Sequence, residues 1–468
     1  MSNSKNSDKR PPSSTSARVE AARQLEQNED RGSFVGLSRK DSDMDPGRER
    51  QVRDLVAGVT RWHRYLDFLI DSFYKSKSGN LEKALRTVLR IGLYELLFTE
   101  TPDHAAIHEA VEAAKVHVRI GAAGLTNGLL RSVLRKRDTL PKPVSEQKST
   151  QLGIEHSHPD WMVKRWLEDF GEPDTIRLMI HNNERPTYGI HIVSREAEVM
   201  DVLAEAGVEI NASEFIPGFW RIRSVQPLLR GGFLKDGSVR VQDEAAAMVV
   251  QVVAPQADDR ILDMCAAPGG KSLLMAMIMD GKGEVVASDI HKRRLNLLRG
   301  SALDQGLENI TLDARDGLNP PPSWINGFDK VLLDAPCTGF GVLSKKADMR
   351  WNRKESDFED LTALQRTLLD SAARCVRPGG VLVYSTCTID VEENHAQISN
   401  FLFRNPCFSL DQLPLGFPAI LQNEDGYFES LPFNTGMDGA FAARLRKTID
   451  PCEPIIDPVE PISMPIET

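Results

Sequence analysis

No CxxC pair, no His/Cys cluster with zinc spacing and no long apolar run occur in this 468-residue chain. Each absence removes a class of function. Without metal-ligand spacing, a zinc ribbon or finger is not expected, and no metal is assigned. The six cysteines (Cys265, Cys337, Cys375, Cys387, Cys407 and Cys452) are too few for a disulfide scaffold. Thiols in a reducing compartment are the expectation. A membrane span needs about 20 consecutive apolar residues, so no membrane attachment is expected. The first residues, MSNSKNSDKRPPSSTS, lack the apolar core of a secretory signal, and Asp8 speaks against a transit peptide. A cytoplasmic monomer is therefore expected. No internal repeat is found.

Positive charge is also scarce overall: 57 Lys and Arg stand against 67 Asp and Glu, a net charge of −10. Taken whole, that balance disfavours a nucleic-acid partner. The distribution points the other way. Residues 1–150 hold 26 basic and 20 acidic side chains, and the remainder holds 31 and 47. Basic residues gather in RSVLRKR, which makes Arg131, Arg135, Lys136 and Arg137 candidate nucleic-acid contacts, the alternative being a solvated helix end.

The chain is predicted to be multidomain. Residues 1–15 are polar and read as a disordered tail. Residues 16–140 read as an all-α domain. LEKALRTVLRIGLYELLF sets Leu81, Leu85, Val88, Leu89, Leu93 and Leu96 on one helical face, and HEAVEAAKVHV and LTNGLLRSVLR repeat the pattern. Pro102 and Gly121 punctuate these helices. PKPVSEQKST (141–150) reads as a linker. Residues 151–238 read as a small α+β subdomain. Its first helix stops at Gly171, and YGIHIV and LLRGGFLKDGSVRVQ are strands about the helical EAEVMDVLAEAG. From 239 to 447, short apolar strands alternate with helices, the pattern of a doubly wound, Rossmann-like α/β domain with a parallel sheet. The Pro-rich stretch 448–468 reads as a flexible tail.

Three apolar strands of this last domain end in turn residues. The first runs into RILDMCAAPGGKS (Arg260–Ser272). It is no Walker A loop, because the position five before Gly270 is Cys265 rather than glycine. GxGxxG is absent as well. Pro268-Gly269-Gly270 between strand and helix still allows a ligand to approach the backbone closely. GEVVASD ends at Asp289, nineteen residues after Gly270, where a carboxylate can bind a ribose hydroxyl pair. ITLDARDG supplies Asp316 for an adenine amino group. Ribose and adenine recognition without a phosphate loop points to S-adenosyl-L-methionine.

Cys337 in DAPCTGFG and Cys387 in VYSTC each follow a strand. Ligands of open α/β sheets sit at strand ends, so both thiols and the glycine loop should converge. A thiolate is useful when the methyl acceptor is a ring carbon that is not itself nucleophilic, such as carbon 5 of cytosine. Sulfur adding to carbon 6 makes carbon 5 an enamine nucleophile. Asp334 can hydrogen-bond the ring edge and stabilise charge. A lone buried cysteine is more often a small hydrophobe, so Cys265, Cys375, Cys407 and Cys452 are read that way, with Cys265 also placed to touch cofactor.

Together VQDEAA (241–246), LDMCAAPGGK (262–271), DAPCTGFGVL (334–343), DMRW (348–351), RPGGVLVYSTCTIDVEEN (377–394) and MDGAFAARL (437–445) resemble the Sun/Fmu-type, RsmB-like ribosomal RNA cytosine-carbon-5 methyltransferases. LRIGLYELLFTETPDHAAIHEAVEAAK with LTNGLLRSVLR resembles their NusB-like helical RNA-binding domain. The resemblance implies methylation of small-subunit (16S) ribosomal RNA. It implies Cys387 as nucleophile, Cys337 as assistant in product release, and a cofactor pocket from Cys265, Ala266, Ala267, Pro268, Gly269, Gly270, Lys271, Asp289, Asp316 and Asp334. One departure is Ala440, where the family usually carries a bulky aromatic residue. Two other readings compete. A NusB-like antitermination factor with an inactive catalytic half would not need both cysteines and the full glycine loop. A DNA cytosine methyltransferase would use the Pro-Cys thiol and leave Cys387 unexplained.

Overall fold

The computed structural model describes residues 16–31, 45–74 and 81–448. The 1–15 tail and all but the first residue of the 448–468 tail lie outside them. Two compact units result. One takes the described residues up to Glu184 together with Lys346–Arg353; the other takes Arg185–Lys345 and the chain from Lys354 onward.

The first unit is helical: α1 (Ala17–Arg31), α2 (Pro46–Phe73), α3 (Lys83–Phe98), α4 (Asp103–His117), α5 (Ala122–Arg135), α6 (Lys148–Glu155) and α7 (Asp160–Asn183). Asp45 starts α2 by accepting from the amides of Gly47 and Arg48, with Pro46 at the first helical position. The apolar stripe of α3 is buried as its period requires: Leu85, Val88, Leu89, Leu93 and Leu96 are at most 3% exposed. Leu81 packs partly buried against the same core. The segment expected to be a linker becomes helical at Lys148. Gly171 does break α7, at φ +72°, but the helix resumes and runs to Asn183.

Lys346–Arg353 adds Arg350, fully buried, to this unit. Its guanidinium donates to the Asn183 Oδ1 at 2.8 Å, the Asn182 carbonyl at 3.0 Å and the Ser157 carbonyl at 3.1 Å. Trp351 Nε1 donates to the Thr60 carbonyl at 2.7 Å.

The second unit opens with an antiparallel sheet of order β2-β3-β1-β4: β1 (Tyr188–Ile192), β2 (Ile210–Ala212), β3 (Phe219–Ile222) and β4 (Val239–Val241). Helices α8 (Glu196–Glu205) and α9 (Gln226–Arg230) accompany it. The long strand expected in LLRGGFLKDGSVRVQ is mostly not one. Pro227 sits in the first turn of α9, Gly232 and Gly237 turn the chain at positive φ, and only Val239–Val241 pairs.

The large sheet contains β5 (Arg260–Met264), β6 (Glu284–Asp289), β7 (Ile310–Ala314), β8 (Phe328–Asp334), β9 (Val376–Thr386), β10 (Phe408–Leu410), β11 (Phe428–Ser430) and β12 (Ala440–Lys447). Its order is β10-β12-β9-β8-β5-β6-β7, with β11 beside β12. The expected parallel pairing holds from β7 to β9. It fails at β10, β11 and β12, whose pairings are antiparallel, so the sheet is mixed. Helices α10 (Glu244–Val253), α11 (Gly270–Ile278) and α12 (Lys292–Asp304) precede or follow the early strands. Alternate strand residues feed opposite cores: Leu262, Leu333 and Leu382 on one side, Ile261, Leu332 and Val383 on the other. Ala440 is buried in the second core with Phe428 and Met437.

Cys265, Cys337, Cys375 and Cys387 stand outside any disulfide. Cys407 is disulfide-bonded, which corrects the expectation of thiols throughout. Pairing depends on spatial approach, which sequence spacing does not report.

Candidate active site

Strand order reverses direction around β5, with β6 on one side and β8 on the other. Such a point leaves a crevice beyond the carboxyl ends of the strands. The glycine loop fills the start of that crevice. Cys265 leaves β5 at φ +66°, a region that costs a non-glycine residue of order 1–3 kcal/mol. The Ala267–Pro268 bond is cis, and Gly269 has φ +110°. A Cβ on Gly269 would also lie 2.3 Å from Leu298 of α12, so only glycine lets this loop sit there. α11 begins at Gly270, bringing Lys271 with it.

The carboxylates gather about the same loop. The Asp289 Oδ2 accepts from the Ala267 amide at 3.1 Å, and its Oδ1 from the His291 amide at 2.8 Å. Asp316 accepts from the Leu318 amide and the Asn319 side chain. Asp334 accepts from Lys271 Nζ at 2.7 Å and from the Ser385 hydroxyl at 2.8 Å. Burial pushes the Cys265 thiol far up, and the charges of Asp289, Asp334, Asp263 and Asp316 push it further. Cys265 thus stands within reach of four carboxylates.

Sequence reasoning passed over Asp263, which is fully buried on β5. Burial raises its carboxyl to about 7, although the Ser272 hydroxyl bonded to it pulls the other way. Its Oδ1 is buried without a hydrogen-bond partner. An aspartate inside an apolar strand was the available signal.

Cys337 Sγ and Cys387 Sγ lie 3.5 Å apart, and both residues are half-buried. The hydrogen bond to Cys387 raises the Cys337 thiol well above its usual range, with burial next and then the charges of Cys387 and Glu393. Burial works to lower Lys271, but Asp334 and then the Cys387 charge outweigh it and hold the ammonium. The Gly341 amide donates to the Cys387 carbonyl at 3.0 Å, and the Gly439 amide to the Gly341 carbonyl at 2.8 Å. A Cβ on Gly341 would meet Gly439 at 2.3 Å, so this crossing of backbones needs glycine. Lys345 Nζ lies between Asp243 (2.5 Å) and Asp438 (2.7 Å), tying VQDEAA to MDGAFAARL.

The arginine cluster lies in the helical unit. Arg131, Arg135 and Lys136 are exposed. Arg137 is committed elsewhere: it donates to Asp103 at 2.6 Å and to the Leu96 carbonyl at 2.6 Å. Among the described residues no group of three or more His, Cys, Asp or Glu could hold a metal ion. None of their helices is long and apolar enough to cross a membrane.

The glycine loop, the orphaned Asp263 oxygen and the ring of carboxylates fit a ligand bearing hydroxyls and positive charge. Comparison with known proteins agrees. Residues 250–446 match the family "16S rRNA methyltransferase RsmB/F", 15–135 the NusB family, and 158–226 the ferredoxin-like domain of RsmF/B-like methyltransferases. The chain is 33% identical to the Bacillus subtilis protein "Probable ribosomal RNA small subunit methyltransferase B", covering 92% of this chain and 97% of that one. It is 32% identical to ribosomal RNA small subunit methyltransferase B of Klebsiella pneumoniae, covering 91% and 97%. Among solved structures, PH0851 superposes with a TM-score of 0.74 at 27% identity, over 93% of this chain and 99% of that one. A methyltransferase homolog from Pyrococcus horikoshii gives a TM-score of 0.55 at 25% identity, over 65% and 100%.

Proposed function

Because the chain belongs to the RsmB/F family of 16S rRNA methyltransferases, we propose that it methylates carbon 5 of a cytosine in small-subunit ribosomal RNA through a covalent cysteine adduct. It is an RNA methyltransferase, and S-adenosyl-L-methionine is its cofactor. When bound, that cofactor supplies an electrophilic methyl group. The observation that carries the finer reading is the pair of thiols 3.5 Å apart, beside Lys271 and Asp334.

In this reading Asp289 holds the cofactor ribose and Asp316 its adenine, while Cys265–Lys271 line its path. The Cys387 sulfur attacks carbon 6 of the base, making carbon 5 nucleophilic. Asp334, held by Lys271 and Ser385, stabilises charge at the ring edge during attack. Once carbon 5 is methylated its proton is removed, the carbon 6–sulfur bond breaks, and Cys337 assists that release. Arg131, Arg135 and Lys136 contact RNA phosphates, and Arg137 braces the end of α5. The protein works as a monomer in the cytoplasm, on ribosomal RNA carrying little protein, because the base must be accessible or flipped out.

Single-turnover assays on naked 16S ribosomal RNA, assembled small subunits and DNA test this, with the methylated atom mapped. Methylation of carbon 5 on naked RNA is expected. Methyl transfer to another atom, or none, would overturn the chemistry. Equal or better methylation of the mature subunit would overturn the substrate.

A further inference from the structure

Neither cysteine loop is held by its cysteine alone. Thr338 follows Cys337, and Thr388 follows Cys387. The two threonine hydroxyls are 3.0 Å apart. Thr338 also gives its amide to Glu393 Oε1 at 2.9 Å and its hydroxyl to Glu393 Oε2 at 2.5 Å. Gln365 donates to the same Oε1 at 2.8 Å and to the Pro336 carbonyl at 2.9 Å. The Glu393 main chain is anchored too, its carbonyl accepting from Tyr384 at 2.6 Å. Glu393 is 0% exposed. A buried carboxylate with three donors and no cation among them is costly, and its burial does raise its own protonation tendency. Such a group persists where its charge or its geometry is used.

We propose that Glu393 is a positioning residue: its carboxylate clamps the two cysteine loops in register, and its charge assigns the shared proton to Cys337. The assignment deepens the covalent reading given above and rests on it. Cys337 faces Cys387, Glu393 and Tyr384, whereas Lys271, paired with Asp334, bears on Cys387, and the Asp334 charge also reaches Tyr384. Asp390 adds a further negative charge near Glu393. The negative side of this gradient disfavours a thiolate on Cys337. The ammonium on the other side favours one on Cys387. Cys337 then begins the cycle as a hydrogen-bond donor to the attacking sulfur.

Glu393→Gln keeps one oxygen to accept from the Thr338 amide and Gln365, removes the charge, and puts an amide donor opposite the Thr338 hydroxyl. Glu393→Ala removes acceptor and charge together. The full-length protein is alkylated with iodoacetamide across pH 6–10, and modification at Cys337 and Cys387 is quantified by peptide mass spectrometry. In the wild type Cys387 should react at the lower pH. In Glu393→Gln the Cys337 profile should move toward lower pH by about one unit, a tenfold gain in reactivity at fixed pH. The variant's methylation pH profile should change while cofactor affinity stays constant. Glu393→Ala should lose more turnover than Glu393→Gln, and the glutamine should restore part of it. A Cys337 profile unmoved in Glu393→Gln would overturn the charge assignment, and turnover unchanged in Glu393→Ala would overturn the clamp. Wild-type protein that fails to methylate RNA would instead remove the catalytic reading, which the alkylation profiles do not need.

Discussion

The two ends of the large sheet treat charge in opposite ways. At the end where β5, β8 and β9 begin, the cations are matched by carboxylates. Lys330 pairs with Asp259 at 2.6 Å, Arg377 with Asp329 at 2.5 Å, and Arg444 and Arg446 with Asp411 at 2.9 and 2.7 Å. A cavity of about 310 Å³ opens there. At the other end, where the strands finish, the acids outrun the cations. Asp263 keeps a bare oxygen, and four carboxylates bear on Cys265. That hollow lies at the balanced end, and the candidate site at the unbalanced one. Unmatched buried charge, rather than a hollow, points to the candidate site.

The contrast can be tested from both ends. Cys387→Ala should abolish methyl transfer to RNA while calorimetry gives an unchanged cofactor dissociation constant; persistent turnover would move the nucleophile elsewhere. Cys337→Ala should stall after transfer and leave a slow, RNase-sensitive protein–RNA band on a denaturing gel. Normal turnover without that band would remove Cys337 from the mechanism. Lys330→Met, at the balanced end, should cost stability instead, because a buried carboxylate loses its partner, a change worth about 3 kcal/mol. Its cofactor affinity should match the wild type, and a loss of affinity would show that the two ends are coupled.

Asp289→Ala should weaken cofactor binding about tenfold or more, since charged hydrogen bonds contribute roughly 1.5–3 kcal/mol. An unchanged dissociation constant would contradict the pocket.

A last test concerns Asp263. Its carboxyl lies at about 7 when folded and near 3.8 otherwise. The folded state therefore holds the extra proton between these values, and that contribution to stability is complete below the lower value and lost as pH rises through about 7. Asp263→Asn should flatten this decline between pH 4 and 7 in thermal unfolding, and an equally steep decline would assign it to another group.

Much of the site was legible because its residues stand at predictable places. Strand ends and turn residues marked Cys337, Cys387, Asp289 and the glycine loop without reference to partners. What stayed hidden depends on who meets whom. Glu393 lies within a quoted motif, but its role arises from Thr338, 55 positions away, and Gln365, 28 away. Arg137 looked equivalent to its neighbours until Asp103 and Leu96 claimed it. The antiparallel strands β10 to β12 carry the same apolar alternation as the parallel ones, so direction was not readable from composition. The α9 turn shows the local limit: apolar residues around Gly231-Gly232 fit a strand pattern until Pro227 starts a helix.

Arg350 has a consequence for anyone who would cut this protein in two. The helical unit is not a continuous stretch of chain, since eight residues from the distant segment Lys346–Arg353 complete it. A truncation ending at Glu184 would remove the guanidinium that gathers Ser157, Asn182 and Asn183, and the indole that Thr60 accepts from. Carbonyls now satisfied inside the unit would be left to water or to nothing. Translation adds a delay of its own: about 170 further residues must leave the ribosome before the first unit can finish folding, of order ten seconds or more at 5–20 residues per second.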